Sequence, residues 1–230
     1  MNTLKYLPKY IFHGTDAKIL NLTTEDRIAY FDSCKKVLEA LDPFFRAINP
    51  CDTYGLFKNC GMDDETISDT EAATRTLSLI RDGHPQYKYG DLYMHSILNF
   101  AWHYARKSYG GGELGTTTYL LISAAEALGF DFSPLAGDVL NLIHCVKTMA
   151  ETPAAPLLFI FPTEELDLKY LKDDQGADLN PDDRFIQRFR YEKQINMTDY
   201  PSVLLPTEIN PNNYSDEQLT DLVNNLLTES

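Results

Sequence analysis

Basic residues are scarce in this chain. Of 230 residues, 20 are Lys or Arg and 34 are Asp or Glu, a formal net charge of −14. Holding nucleic acid by broad electrostatics requires clustered cations on the phosphates, so this balance argues against that class. An enzyme with a locally basic cleft stays open. Cysteine is also sparse. Cys34, Cys51, Cys60 and Cys145 show no C-x-x-C spacing and no short-spaced His pair accompanies them, which argues against a zinc site. No apolar run reaches the length of about 18 residues that a bilayer span needs, and the opening MNTLKYLPKYIFHGT has no signal-type apolar core. The expectation is a soluble cytoplasmic protein with reduced thiols and no membrane partner. Repeats and low-complexity linkers are missing too, so residues 1–230 read as a single domain. The glycines 110–112 lack the Gly-Lys-Ser/Thr ending of a phosphate loop. The acidic pairs Asp63-Asp64 and Asp182-Asp183 read as solvated loops, not as a nuclease metal cluster.

What is present is a pattern of strands around a helical middle. Residues 9–13 read as a short strand ending at His13. Thr23 followed by Thr24, Glu25 and Asp26 gives an N-cap with acids in the first turn, opening a helix over about 24–42. Residues 49–70 read as a loop and 70–81 as a short helix, broken at His84-Pro85. A strand ending at Tyr93 runs into a helix carrying Tyr104, with Ser96 as a cap. Residues 110–115 then read as a turn. Helices follow over 116–129 and over 133–151, the latter with Ser133 as cap and Pro134 in its first turn. The proline-bracketed run over 156–162 reads as a buried strand, 171–183 as an acidic loop and 184–195 as an alternating strand. Ser215 with Gln218 makes a capping box for a last helix over 216–227. Connections this varied do not make βαβ repeats, and the fold class is α+β.

Three motifs carry chemistry. IFHGT places His13, Gly14 and Thr15 at the end of an apolar run. YGDLYMHSILNFAWHYA, residues 89–105, sets Tyr93 and Tyr104 eleven residues apart across a strand-to-helix junction. RFIQRFRYEKQI alternates so that Phe185, Phe189, Tyr191 and Ile195 share one face, while Arg188, Arg190 and Glu192 share the other. Glu164 and Glu165, after the strand over 156–162, are the competing carboxylates.

In their order and spacing these motifs resemble those of ADP-ribosyltransferases of the poly(ADP-ribose) polymerase-like, His-Tyr-Glu branch. The resemblance covers about a quarter of the chain, and residues 110–155 match nothing in it. It implies a split β-sheet core, here with a helical middle insertion, that binds NAD and breaks the nicotinamide–ribose bond through an oxocarbenium-like state. On that resemblance the backbone of Gly14 grips the nicotinamide amide, and His13 bonds the adenosine ribose with Thr15 supporting the same loop. Tyr93 and Tyr104 enclose the nicotinamide ring, and Glu192 bonds a ribose hydroxyl and favours the developing cation. Arginine-modifying members usually carry Glu or Gln two positions before the catalytic glutamate. Arg190 stands there instead, which disfavours an arginine acceptor and suits an anionic one or the NAD pyrophosphate. Arg106 and Lys107 would extend that basic surface. The resemblance thus implies a mono-ADP-ribosyltransferase acting on nucleic acid or protein. Small stand-alone members are often toxins of toxin–antitoxin or phage-defence systems, with a neutralising antitoxin as partner. An NAD glycohydrolase and a catalytically silent binding module are the competing readings.

Overall fold

The run PLLFIFP forms the strand about which a six-stranded antiparallel sheet is built. In the computed structural model, residues 7–20, 22–48, 53–83, 92–107, 112–152, 155–173, 177–179 and 188–229 are described. The strands are β1 (Tyr10–Asp16), β2 (Leu92–His95), β3 (Pro156–Pro162), β4 (Leu171–Asp173), β5 (Arg188–Tyr191) and β6 (Ser202–Leu204), in the order β4-β5-β2-β1-β3-β6. The helices are α1 (Ala17–Leu20), α2 (Thr24–Ala47), α3 (Thr53–Asn59), α4 (Asp64–Arg81), α5 (Leu98–Lys107), α6 (Gly112–Ala127), α7 (Gly137–Glu151) and α8 (Asp216–Glu229). Sheet and helices together make the class α+β, in agreement with the sequence pattern. No helix among the described residues is long and apolar enough to cross a membrane.

The chain divides into two compact units. One takes residues 1–18, 88–107 and 154–230 and holds the sheet with α5 and α8. The other takes residues 19–87 and 108–153 and is helical. Helical sequence therefore enters at two places, before β2 as well as in the expected middle. In the helical unit, Val37, Leu38 and Leu41 of α2, Phe57 of α3, Ile67 and Leu77 of α4, Leu121 and Ile122 of α6, and Val146 of α7 form one core.

β3 is apolar throughout because both of its faces are covered. Leu158 and Ile160 join Leu98, Ala101, Trp102 and Ala105 of α5 and Leu219 and Val223 of α8. Leu157, Phe159 and Phe161 join Ile11, Met94, Phe189 and Tyr191 on the other side. The α5 residues recur at i, i+3, i+4 and i+7, the stripe a helix needs to lie on a sheet. β1 pairs with β3 along its whole length, from Tyr10↔Pro162 to Asp16↔Pro156. It ends where the buried Asp16 carboxylate accepts hydrogen bonds from Lys18 N at 3.0 Å and Ala155 N at 3.3 Å.

Several boundaries differ from the sequence expectation. β1 continues to Asp16, so His13-Gly14-Thr15 lies within a strand and not at its end, because β3 offers partners throughout. α2 runs on past Pro43 to Ala47, with Phe44 and Phe45 packed in the helical core. The supposed loop 49–70 contains α3 and the start of α4. Asp63 caps α4 by accepting from Thr66 N at 2.7 Å, and its acids suit the helix dipole. Gly112 to Gly115 begin α6, where Leu114, Thr117 and Thr118 are buried and packing overrides glycine's weak helix propensity. α7 starts at Gly137. Ser133 N instead bonds Asp131 Oδ1 at 2.9 Å in the turn before it. Part of the acidic loop 171–183 is β4, and within 184–195 the described strand is Arg188–Tyr191. β2 extends to His95, and α5 begins at Leu98, after Ser96. Residues 84–91, Gly110, Gly111, Asp182, Asp183 and Phe185 lie outside the described residues. The Thr23 cap and the Ser215–Gln218 capping box form as the sequence suggests.

α5 approaches β1 so closely that only glycine fits at position 14. A Cβ there would stand 1.8 Å from the Ala101 carbonyl oxygen and 2.8 Å from Ala105 N. Both are backbone atoms and cannot swing aside. Gly14→Ala is therefore expected to cost roughly 1–3 kcal/mol or more of stability, read as a lower denaturant midpoint. An unchanged midpoint would contradict this seat.

Candidate active site

The sheet has a seam at its centre. β2 and β1 share the single register pair Phe12↔His95, whereas β2 pairs with β5 along its whole length. The direction of the β1 backbone groups follows from its other neighbour. Thr163 N donates to Lys9 O at 3.0 Å and Ala17 N donates to Ala155 O at 2.8 Å, so the odd-numbered residues of β1 exchange bonds with β3. The even-numbered residues, Phe12 and Gly14 among them, turn N–H and C=O toward β2. Beyond the Phe12 crossing, Gly14 thus presents a donor and an acceptor to the seam.

His13 bridges the seam with its side chain. Its Nδ1–H donates to the Tyr93 carbonyl of β2 across 2.6 Å. A carbonyl can only accept, so the proton belongs on Nδ1 and Nε2 keeps its lone pair. Burial lowers the pKa of His13, and the bond to Tyr93 opposes this. The imidazole is a neutral group with an acceptor to offer. Thr15 is buried beside Leu157 of β3 within the strand, so its expected role in supporting a loop gives way to packing.

Tyr93 faces β5 directly, paired with Arg190. Alternation puts Tyr93 and His95 on one face of β2 and Arg188 and Arg190 on the matching face of β5. Phe189 and Tyr191 are buried on the opposite face, as the sequence alternation indicates. Arg190, on the face it shares with Glu192, is only 5% exposed. Its Nη2 donates to Glu192 Oε1 at 2.5 Å, a charge-assisted bond. Glu192 follows β5, anchored by its N–H to Tyr170 O at 3.0 Å, and its side chain stays about a third exposed, at 34%. The competitors Glu164 and Glu165 follow β3 at the end that pairs with Tyr10, four residues from Gly14, or roughly 13 Å along the strand. Glu192 is instead the carboxylate joined to Arg190 at the end of β5.

Tyr104 enters from α5. Its ring centroid stands 4.9 Å from that of His95, with the planes 31° apart. Phe100, one turn earlier, lies 6.1 Å from His95 on the same helix face. His95, which no motif singles out, is the last strand residue, 5% exposed and at the seam crossing. Burial pushes its pKa down to about 3, and the charge of Arg188 adds to the effect. Its position two residues after Tyr93 was the signal for a shared face. Arg106 is half-buried on α5, and the side chain of Lys107 lies outside the described residues. No group of three His, Cys, Asp or Glu among the described residues could hold a metal ion.

His13, Gly14, Tyr93, Tyr104, Arg190 and Glu192 thus come from β1, β2, α5 and the end of β5 within the sheet-bearing unit. No protein-family model, no curated protein and no solved structure matches the chain.

The two neutral histidines set a dependence on pH. An unfolded His95 takes up a proton as pH falls through about 6.5, whereas the folded one resists until about pH 3. Its contribution to stability is complete above pH 6.5 and is lost as pH falls toward 3. His95→Phe removes this contribution, so its stability should decline less steeply than wild type over that window. The difference should be on the order of 5 kcal/mol across the window, given about 1.4 kcal/mol per unit. Parallel acid-denaturation curves for the two proteins would refute the assignment.

Proposed function

We propose that this chain is an NAD-dependent mono-ADP-ribosyltransferase that modifies a macromolecule. The observation that carries the reading is the backbone of Gly14, turned to the open seam between His13 and Tyr93. A nicotinamide carboxamide needs one donor and one acceptor in that relation, which a strand at an unzipped ladder offers. The seam also supports the split β-sheet that this activity implies, since one register pair joins the two halves.

In this reading Gly14 holds the carboxamide, and Tyr93 and Tyr104 flank the ring with aromatic faces. His13 accepts a ribose hydroxyl through Nε2, the nitrogen its bond to Tyr93 leaves proton-free. Glu192 accepts a hydroxyl of the nicotinamide ribose and favours positive charge as it develops on the sugar. Arg190 orients the Glu192 carboxylate through the bond from Nη2 to Oε1. The bond from C1′ to the nicotinamide nitrogen breaks, its electron pair leaves with nicotinamide, and the acceptor forms the new bond to C1′. The guanidinium of Arg190 beside Glu192 disfavours a second guanidinium, so an anionic group of a protein or nucleic acid suits the site better than arginine. A cytoplasmic setting, where NAD and such acceptors are found together, belongs to the same proposal, as does a neutralising partner protein.

Incubation of the protein and a cell lysate with NAD labelled in its adenylate tests the reading. Label retained on protein or nucleic acid supports transfer. Free ADP-ribose alone supports an NAD glycohydrolase using the same seam, and a folded protein that neither binds nor consumes NAD supports a silent binding module. Glu192→Gln is expected to lower turnover by roughly 10²–10³-fold with thermal stability maintained, the usual loss when a transition-state charge partner is removed. Full turnover by this variant would sink the mechanism.

A further inference from the structure

His95 occupies the point where the seam closes. Its backbone makes the one register pair between β1 and β2, so it marks the depth to which a planar group can enter from the Gly14 side. Its side chain lies on the face it shares with Tyr93 and packs against the Tyr104 ring, 4.9 Å away at 31°. Phe100, at 6.1 Å, supports it from the preceding turn of α5. Cross-strand, it is paired with Arg188. The ring is almost wholly buried, and no hydrogen-bond partner meets its Nδ1. A buried polar atom left in this way costs stability, and an aliphatic or phenyl side chain would fill the same place without that cost. Its retention calls for a function.

We infer that His95 is a positioning residue of the nicotinamide clamp: its flat ring backs Tyr104, fixing that wall of the clamp and the floor of the seam. This rests on the NAD reading above. The chemistry of the ligand explains why the backing group must be flat and uncharged. The nicotinamide ring of NAD carries positive charge, and a cation one ring away would repel it. Burial, with Arg188 and His13 nearby, keeps the imidazole neutral at any working pH. An aliphatic side chain would leave Tyr104 without an aromatic partner, and a ring-on-ring contact changes affinity by roughly two- to tenfold.

The test compares the full-length wild-type chain with His95→Ala and His95→Phe, using NAD as the probe. Steady-state NAD cleavage separates KM from kcat, and the ring-proton NMR signals of Tyr104 report its placement without ligand. His95→Ala is expected to raise KM for NAD by roughly tenfold, with a smaller change in kcat, and to shift the Tyr104 ring signals. His95→Phe is expected to restore KM to within about threefold of wild type, since it returns a flat neutral ring. An alanine variant that matches wild type in KM and in the Tyr104 signals overturns the inference alone. So does a folded phenylalanine variant that fails to rescue. A wild-type chain that neither binds nor cleaves NAD overturns the clamp itself, and the inference with it.

Discussion

The close seat of α5 on Gly14 is the contact on which the rest of the sheet-bearing unit depends. α5 follows β2 after two residues, yet its buried stripe lies against β1 and β3. It therefore spans the two halves of the sheet on one face, where the ladder joins them by the single pair Phe12↔His95. A helix packed this tightly can hold two strands in place without the usual row of backbone bonds. That allows the central ladder to open and to leave peptide groups of β1 facing the seam instead of bonded to a neighbouring strand. The glycine then serves two requirements at once: it admits the helix on one side and offers an unshielded backbone along the seam.

Electrostatics within the site follow from burial more than from the overall charge of −14. Both histidines at the seam are held neutral, His95 strongly so, and both remain hydrogen-bonding or stacking groups instead of cations. The permanent charge comes from Arg190, which is buried on β5 and joined to Glu192. A guanidinium retains its charge where an imidazole gives it up, so the carboxylate keeps a cationic partner even in this half-dry setting. A chain with an acidic total charge can in this way keep a local cation beside a carboxylate.

The elements most legible in the sequence were those with local chemical punctuation. The proline-bracketed β3, the Thr23 cap of α2 and the Ser215–Gln218 box of α8 all stand where side chains announced them, because each signal acts over three or four residues. The start of α6 was misleading, since its glycines look like a turn until Leu114 and Thr118 find a core to enter. The start of α4 was equally hidden, by acids that read as solvated loop and serve as cap and first turn, whereas its later turns were expected. The alternation in β5 separated its two faces correctly, but it could not show that Arg190 is buried while Arg188, on the same face, stays exposed.

The motifs determined which residue types are available: a glycine beside a histidine, two tyrosines eleven residues apart, and a glutamate two positions after an arginine. Spacing along a chain is local, so the sequence could supply these pairs and the strand or helix each belongs to. Their meeting at one seam required β1, β2 and β5 to lie side by side, which is set by pairings between residues some eighty to a hundred positions apart. Tertiary structure alone decided that Gly14 faces an unzipped ladder, that His13 spends its Nδ1 proton on Tyr93, and that the His95 ring packs against Tyr104. Each depends on which backbone edge meets which neighbour, and no side-chain pattern within a single strand carries that information.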